Sequence, residues 1–184
     1  GLPFHVFCLQ DAFREHVIEN FIRCYECGLT PNPCIQCNRH LKFDLFLQKA
    51  LELGCDYVAT GHYAQIRRDD QTSRYRLFKA ADAAKDQTYF LYTLTQEQLA
   101  HIRFPLGGLT KSQAREIAEA AGFVTARKRD SQDICFVPDG DYVRFMERYT
   151  GKHYVPGDYL DLDGNVVGQH KGAVHYTLGQ RKGL

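Results

Sequence analysis

Seven cysteines lie among 184 residues, and three of them stand where their surroundings favour chemistry. Cys34 and Cys37 follow Thr30-Pro31-Asn32-Pro33, whose two prolines fix φ and bias the residues before them towards extended backbone. The spacing predicts a rigid turn presenting both thiols, with a helix beginning close behind. Arg39, His40 and Lys42 come next; nearby cations and a helix N-terminus both favour thiolate over thiol. Much later, Ser131-Gln132-Asp133-Ile134-Cys135-Phe136 follows the basic run Arg127-Lys128-Arg129. Cys37 and Cys135 are therefore the candidate reactive thiols. The basic run reads either as a solvated face or as a holder of phosphates.

Cys24, Cys27, Cys34 and Cys37 also form two C-x-x-C pairs, a spacing that points to zinc or an iron–sulfur cluster. The gap between the pairs is shorter than the roughly 15–20 residues of a zinc ribbon. On a helix, Cys24 and Cys27 would face directions about 300° apart, so a bound metal is the rival reading to thiol chemistry. Cys8 and Cys55, in or beside expected strands, read as buried small hydrophobes.

These groups need elements to hold them. Residues 4–9 read as a buried strand. A helix capped by Asp11 would place Phe13, Val17, Ile18, Phe21, Ile22 and Tyr25 on one face and stop near Gly28. A second helix is expected over 42–53, with Gly54 as its stop. Residues 55–60 read as a short buried strand, with Gly61 and His62 just past its carboxyl end, where α/β sheets bind ligands. The expected fold class is therefore α/β: a partial doubly wound, Rossmann-like sheet, followed from about residue 80 by a small mixed, mostly helical part. Hairpins are predicted over 64–79, before that boundary, and around Asp163-Gly164 beyond it, the second with a type I′ turn. Thr110-Lys111-Ser112-Gln113 should cap a helix with Ala114, Ile117, Ala118 and Ala121 inward. A further helix near 141–149 aligns Tyr142, Phe145, Met146 and Tyr149.

Composition excludes little. With 44% hydrophobic and 24% charged residues and a net charge of +1, any polyanion must be held by local patches. No apolar run is long enough to cross a bilayer, and seven cysteines, an odd number, suit a reducing cytoplasmic setting. The chain has no initiator Met and opens at once on an apolar run, so it is expected to be an internal piece of a longer protein.

Thr30-Pro31-Asn32-Pro33, Cys37-Asn38, Lys42-Phe43, Ala59-Thr60-Gly61-His62-Tyr63, Lys85-Asp86-Gln87, the Ser131–Phe136 segment and Leu178-Gly179-Gln180-Arg181-Lys182-Gly183 together carry a likeness. In order and spacing they resemble the tRNA-specific 2-thiouridylases, ATP pyrophosphatases that place sulfur on C2 of the wobble uridine. The resemblance implies an adenine-nucleotide α-hydrolase-like domain, of which residues 1–80 would be the C-terminal part. It makes 81–184 a central tRNA-binding domain, with a C-terminal β-barrel lying beyond the chain. It casts Cys37 as nucleophile and Cys135 as persulfide carrier, able to pair in a disulfide. Gly61 resembles an ATP-binding position, with Mg2+ expected beside the nucleotide. Asn32, Pro33 and Cys34 match the segment that meets the target base; His62, Lys85, Asp86 and Gln87 match tRNA contacts. A persulfide-donating protein is the implied partner.

Three features, the missing C-terminal barrel being one, depart from the family. Its Ser-Gly-Gly-x-Asp-Ser phosphate loop is absent, so this segment alone should be inactive, and Cys34 stands where many members carry Asp. A cluster of Cys34, Cys37 and Cys135 around zinc or iron–sulfur, in a non-catalytic tRNA-binding module, remains the alternative function. An ATP pyrophosphatase acting on a small substrate is a third.

Overall fold

Apolar residues at helical spacing account for the first element, which has three parts in the computed structural model: α1, Gln10–Phe13; a π-helical segment, Arg14–Ile18; and α2, Glu19–Glu26. The structure describes residues 3–128 and 134–182. The chain divides within the π segment, giving one unit of Gly1–His16 with Cys34–Asp130 and another of Val17–Pro33 with Ser131–Leu184.

In the second unit α2 buries Phe21, Ile22 and Tyr25. They meet Val143 and Met146 of α7, Tyr142–Thr150, and Val174 of a 3-10 turn at Ala173–His175. The Tyr25 and Tyr142 rings stack at 4.5 Å, and Phe136 meets Phe21 edge-on at 5.4 Å. Glu26, at the end of α2, accepts from Lys152 Nζ at 2.6 Å and from the Tyr154 hydroxyl at 2.8 Å. Those two hydrogen bonds, the Lys152 bond first, hold its carboxyl below the usual carboxylate range. Gly28 ends the helix with φ of +72°, as its position in the sequence predicts. Strands β5, Gly157–Leu160, and β6, Val166–His170, form an antiparallel hairpin.

The first unit is built on a helical run: α3, Pro33–Gln36; a π segment, Cys37–Leu45; and α4, Phe46–Glu52. Strand β1, Val58–Ala59, pairs in parallel with β4, Ile102–Arg103, while β2, Ala64–Arg68, and β3, Tyr75–Lys79, form the expected hairpin, with Ile66 opposite Leu77. Between them come 3-10 turns at Ala83–Lys85 and Thr88–Leu91, and α5, Gln96–Ala100. Helix α6, Lys111–Ala120, opens on the predicted Thr110/Gln113 capping box. Phe43, Ala64, Leu91 and Ile102 form one core; Leu47, Ala50 and Val58 form another. Helices and strands are therefore mixed as an α/β chain requires, with one parallel strand pair among the described residues.

Several expectations are corrected. Residues 4–9 form no strand, and Phe4 and Val6 are exposed; a strand exists only by pairing, and no described segment pairs with them. Cys8 and Cys55 are likewise exposed. Asp11 lies inside the first turn and pairs with Arg14 at 2.7 Å; Leu9 holds the cap position. The second helix starts at Pro33, nine residues before the expected Lys42. Proline's fixed φ suits the first helical position, where its missing N–H costs nothing, so Cys34 and Cys37 sit in helical backbone. Ile117 on α6 is 57% exposed. The turn around Asp163-Gly164 has positive φ only at Gly164, so it is not type I′; the Asp161 carboxylate accepts from Asp163 N and Asn165 N and sets its shape.

Gly107 marks the tightest approach in the first unit. A Cβ there would lie 1.8 Å from the Ala64 carbonyl oxygen, whereas one at Gly108 would meet nothing within 4 Å. Gly107→Ala is expected to lower the unfolding free energy by roughly 3 kcal/mol, the upper end for overpacking, and Gly108→Ala to leave it nearly unchanged. Urea denaturation of the two variants checks this.

Candidate functional site

Strand β1 ends at Ala59, and the chain continues into Thr60-Gly61-His62-Tyr63. Thr60 N donates to the Arg103 carbonyl at 3.1 Å, carrying the parallel pairing one residue further. The next residues turn into a pocket of about 290 Å³ lined by Lys42, Thr60, Gly61, His62 and Gln87. Three separate stretches of sequence meet here: the π segment, the strand end, and the loop between the two 3-10 turns.

His62 is 8% exposed. Its ring lies 5.6 Å from that of Phe43 and 5.7 Å from that of Phe104, and its Nδ1 shares a 2.8 Å hydrogen bond with Thr60 Oγ1. Burial, and secondarily the positive charge of Lys42, push its pKa down from 6.5 to about 4. The imidazole is therefore neutral near pH 7: a fixed polar wall and not a cation for phosphates.

Gln87 holds the loop from the other side. Its Oε1 accepts from Tyr63 N, and its own N donates to Tyr63 O, both at 2.9 Å. This two-point clasp imitates a rung of β-sheet. Asp86 also works inward: its oxygens accept from Ala80 N at 2.8 Å and from Thr88 Oγ1 at 2.5 Å. Burial would raise its pKa, but those hydrogen bonds outweigh burial and hold it below the ordinary value. Lys85 is half-buried at the end of the first 3-10 turn.

Asn38 is 2% exposed and donates from Nδ2 to the Phe90 carbonyl at 3.1 Å. That bond ties the π segment to the turn following Gln87. Cys37 is half-buried at the start of the same segment, and Cys34, one turn earlier, is exposed. Asn32 is half-buried and Pro33 buried.

Cys135 belongs to the second unit. Ile134 and Phe136, on either side, pack against its aromatic core, and Val137 N closes a tight turn on Ile134 O at 2.8 Å. With both neighbours anchored, the Cys135 thiol is left exposed. Ser131, Gln132, Asp133 and Arg129 of the predicted motifs lie outside the described residues, as does Gly183. Arg127 is paired with Glu119 at 2.7 Å. Among the described residues no three His, Cys, Asp or Glu side chains come together to hold a metal ion, and no helix is long and apolar enough to cross a membrane.

Gly61, His62 and Gln87 are thus brought together. Lys42 and Thr60 had no assigned role from sequence, although both sit in motifs that stood out. The signal was Phe43: a residue with 0% exposure fixes where its neighbour Lys42 emerges. The lining offers one cation, a hydroxyl, amide groups and no carboxylate, a donor set that suits a phosphate-bearing ligand.

A neutral buried histidine makes stability depend on pH. His62 takes up its proton at about pH 6.5 when unfolded but only near pH 4 when folded. Its contribution is complete above pH 6.5 and falls away as the pH drops from there towards 4. The melting temperature of His62→Phe should fall less over this window than that of the parent protein, which a thermal melt series measures.

Comparison with known proteins gives matches over nearly the whole chain. Residues 1–139 match a family profile described as the tRNA methyl transferase HUP domain, and 143–184 one described as the tRNA methyl transferase PRC-barrel domain. The chain is 52% identical over 184 residues to the tRNA-specific 2-thiouridylase MnmA of Clostridioides difficile (strain 630), covering 100% of this chain and 51% of that protein. It is 54% identical over 185 residues to its counterpart in Heliobacterium modesticaldum and 56% over 185 in Symbiobacterium thermophilum, again over 100% of this chain, and 48% and 47% of theirs. The chain thus spans about half the length of the curated relatives it matches.

Proposed function

Because the chain belongs to the family described as the tRNA methyl transferase HUP domain, we propose that it is part of an ATP-dependent tRNA 2-thiouridylase of the cytoplasm. The observation that carries this reading is the exposed Cys135 thiol, held out between two anchored apolar neighbours. The relatives at 52–56% identity are tRNA-specific 2-thiouridylases, which supports sulfur transfer.

A uridine C2 carbonyl is a poor electrophile, and ATP supplies the activation, adenylating the C2 oxygen with loss of pyrophosphate. The terminal sulfur of a Cys135 persulfide, loaded by a sulfur-donor protein, then bonds to C2 as AMP leaves. The Cys37 thiolate attacks the inner Cys135 sulfur, breaks the S–S bond and leaves sulfur on C2. A Cys37–Cys135 disulfide results, and a thiol reductant resets it. Gly61 would give the nucleotide its exposed main chain, and Lys42 a counter-charge. Mg2+ would ride on the phosphates, since the pocket lining has no carboxylate. Asn32, Pro33 and Cys34 would meet the target base, with His62 and Lys85 to Gln87 shaping the tRNA approach. In this reading 1–80 completes a doubly wound nucleotide-binding domain, and 81–184 serves tRNA.

The test is complementation of a thiouridylase-deficient cell with the full-length protein, followed by nucleoside analysis of its tRNA. Restored 2-thiouridine is expected, falling to background with Cys135→Ser or Cys37→Ser while the protein level is unchanged. Undiminished 2-thiouridine in Cys135→Ser would sink the sulfur-carrier role.

A further inference from the structure

A second pocket, of about 450 Å³, opens on the β2–β3 hairpin and shares no lining residue with the one around His62. Arg67 and Arg103 both line it, with Gln65 and Phe104, and no acidic residue does. Each guanidinium is held in place by its own surroundings. Arg103 lies 3.7 Å from the Tyr57 ring centre and donates from Nη1 to the Ile102 carbonyl at 2.9 Å. Arg67 lies over Phe78 at 5.0 Å and donates from Nη2 to Gln65 Oε1 at 2.8 Å. Among the described residues neither is paired with a carboxylate. Five N–H donors per guanidinium leave most of each fork unclaimed.

The hairpin register sharpens the point. Arg67 stands directly opposite Arg76, and like charges facing each other across strands destabilise a sheet. Asp69 answers Arg76; among the described residues nothing of opposite charge answers Arg67. Residues 64–79 carry five basic and two acidic side chains, three net positive charges in a chain whose total is +1. The segment carrying Phe104 and Gly108 is pressed onto β2 at Gly107, so the pocket has a firm wall.

We propose that Arg67 and Arg103 bind neighbouring phosphodiester groups of an RNA backbone, a contact separate from the Lys85–Gln87 loop. The choice of RNA rests on the reading of the protein as a tRNA-modifying enzyme. Both arginines are exposed, and exposed ion pairs are individually weak, so a lone phosphate would bind poorly. A polyanion engaging several cations gains from counterion release. Ordered guanidinium forks match phosphate oxygens where a flexible ammonium does not.

The test measures affinity of the intact protein for a tRNA transcript with a wobble uridine, between roughly 50 and 200 mM salt. Arg67→Gln and Arg103→Gln should each weaken binding several-fold and reduce the slope of log affinity against log salt by about 0.9, with the double variant losing about twice that. Arg14→Gln, at an exposed arginine paired with Asp11, is a charge control that should change neither, and inorganic phosphate should not displace the RNA at concentrations comparable to the protein. Arg67→Gln decides the matter if Arg103→Gln unfolds, because Arg67 is exposed and its loss leaves the core intact. A folded Arg67→Gln with parental slope and affinity overturns the proposal, as does an equal loss in Arg14→Gln. It is also overturned if the variants keep tRNA affinity and lose only the sulfur-donor protein. Failure of the parent protein to bind the transcript would instead overturn the tRNA reading on which the choice of ligand rests.

Discussion

The burial of Phe43 is the contact on which the first unit's site depends. Its side chain is fully enclosed and packs with Ala64, Leu91 and Ile102, one residue from each of three elements that approach the pocket. Full burial of such a ring removes apolar surface worth roughly 1.5–3 kcal/mol from water, more than any single polar contact nearby. Because Lys42 is its chain neighbour, the same packing sets where that ammonium emerges. Ala64 follows Tyr63, and Leu91 closes the turn that begins just after Gln87. The Gln87–Tyr63 clasp and the Asn38 bond to Phe90 then refine an arrangement the core has already chosen.

The same packing determines the chemistry of His62. Phe43 and Phe104 enclose its ring, and its one polar partner among the described residues is the Thr60 hydroxyl. A charged imidazolium would be desolvated there with Lys42 close by, so the neutral form wins by a wide margin. Charge for an anionic ligand must come from Lys42, while His62 gives shape. The second unit follows another logic. Its aromatic cluster of Phe21, Tyr25, Phe136 and Tyr142 anchors the chain around a thiol that it leaves in solvent. A structural cysteine is buried and inert; one displayed by its neighbours is accessible to a partner.

Much of the local structure was legible from residue types. The Thr110/Gln113 box, the Gly28 stop and the β2–β3 hairpin follow from short-range rules that operate within a few residues. Elsewhere the tertiary surroundings, or a local conformation shared by two structures, decide. Residues 4–9 have a strand's composition, yet a strand needs a partner that composition does not supply. Ile117 has the spacing of a core residue, but burial depends on what faces the helix. Pro33 starts a helix and does not hold a turn open, although proline's φ fits both. The π segment from Cys37 to Leu45 left no sequence signal, because its i→i+5 register differs from an α-helix only in pairing.

The sequence alone determined which groups are available: paired cysteine motifs, a histidine after a strand, a Lys-Asp-Gln triplet and the caps and turns that space them. These depend on residue identity and chain neighbours. Tertiary structure decided what those groups can do. It enclosed and neutralised His62, turned Asp86 and Gln87 inward onto the backbone, brought Lys42 and Thr60 to the pocket, and left Arg67 facing Arg76 without a carboxylate. Charge state, exposure and partner are properties of surroundings, and for His62 and Gln87 much of those surroundings comes from distant parts of the chain: Phe43 and Phe104 for the one, Tyr63 for the other.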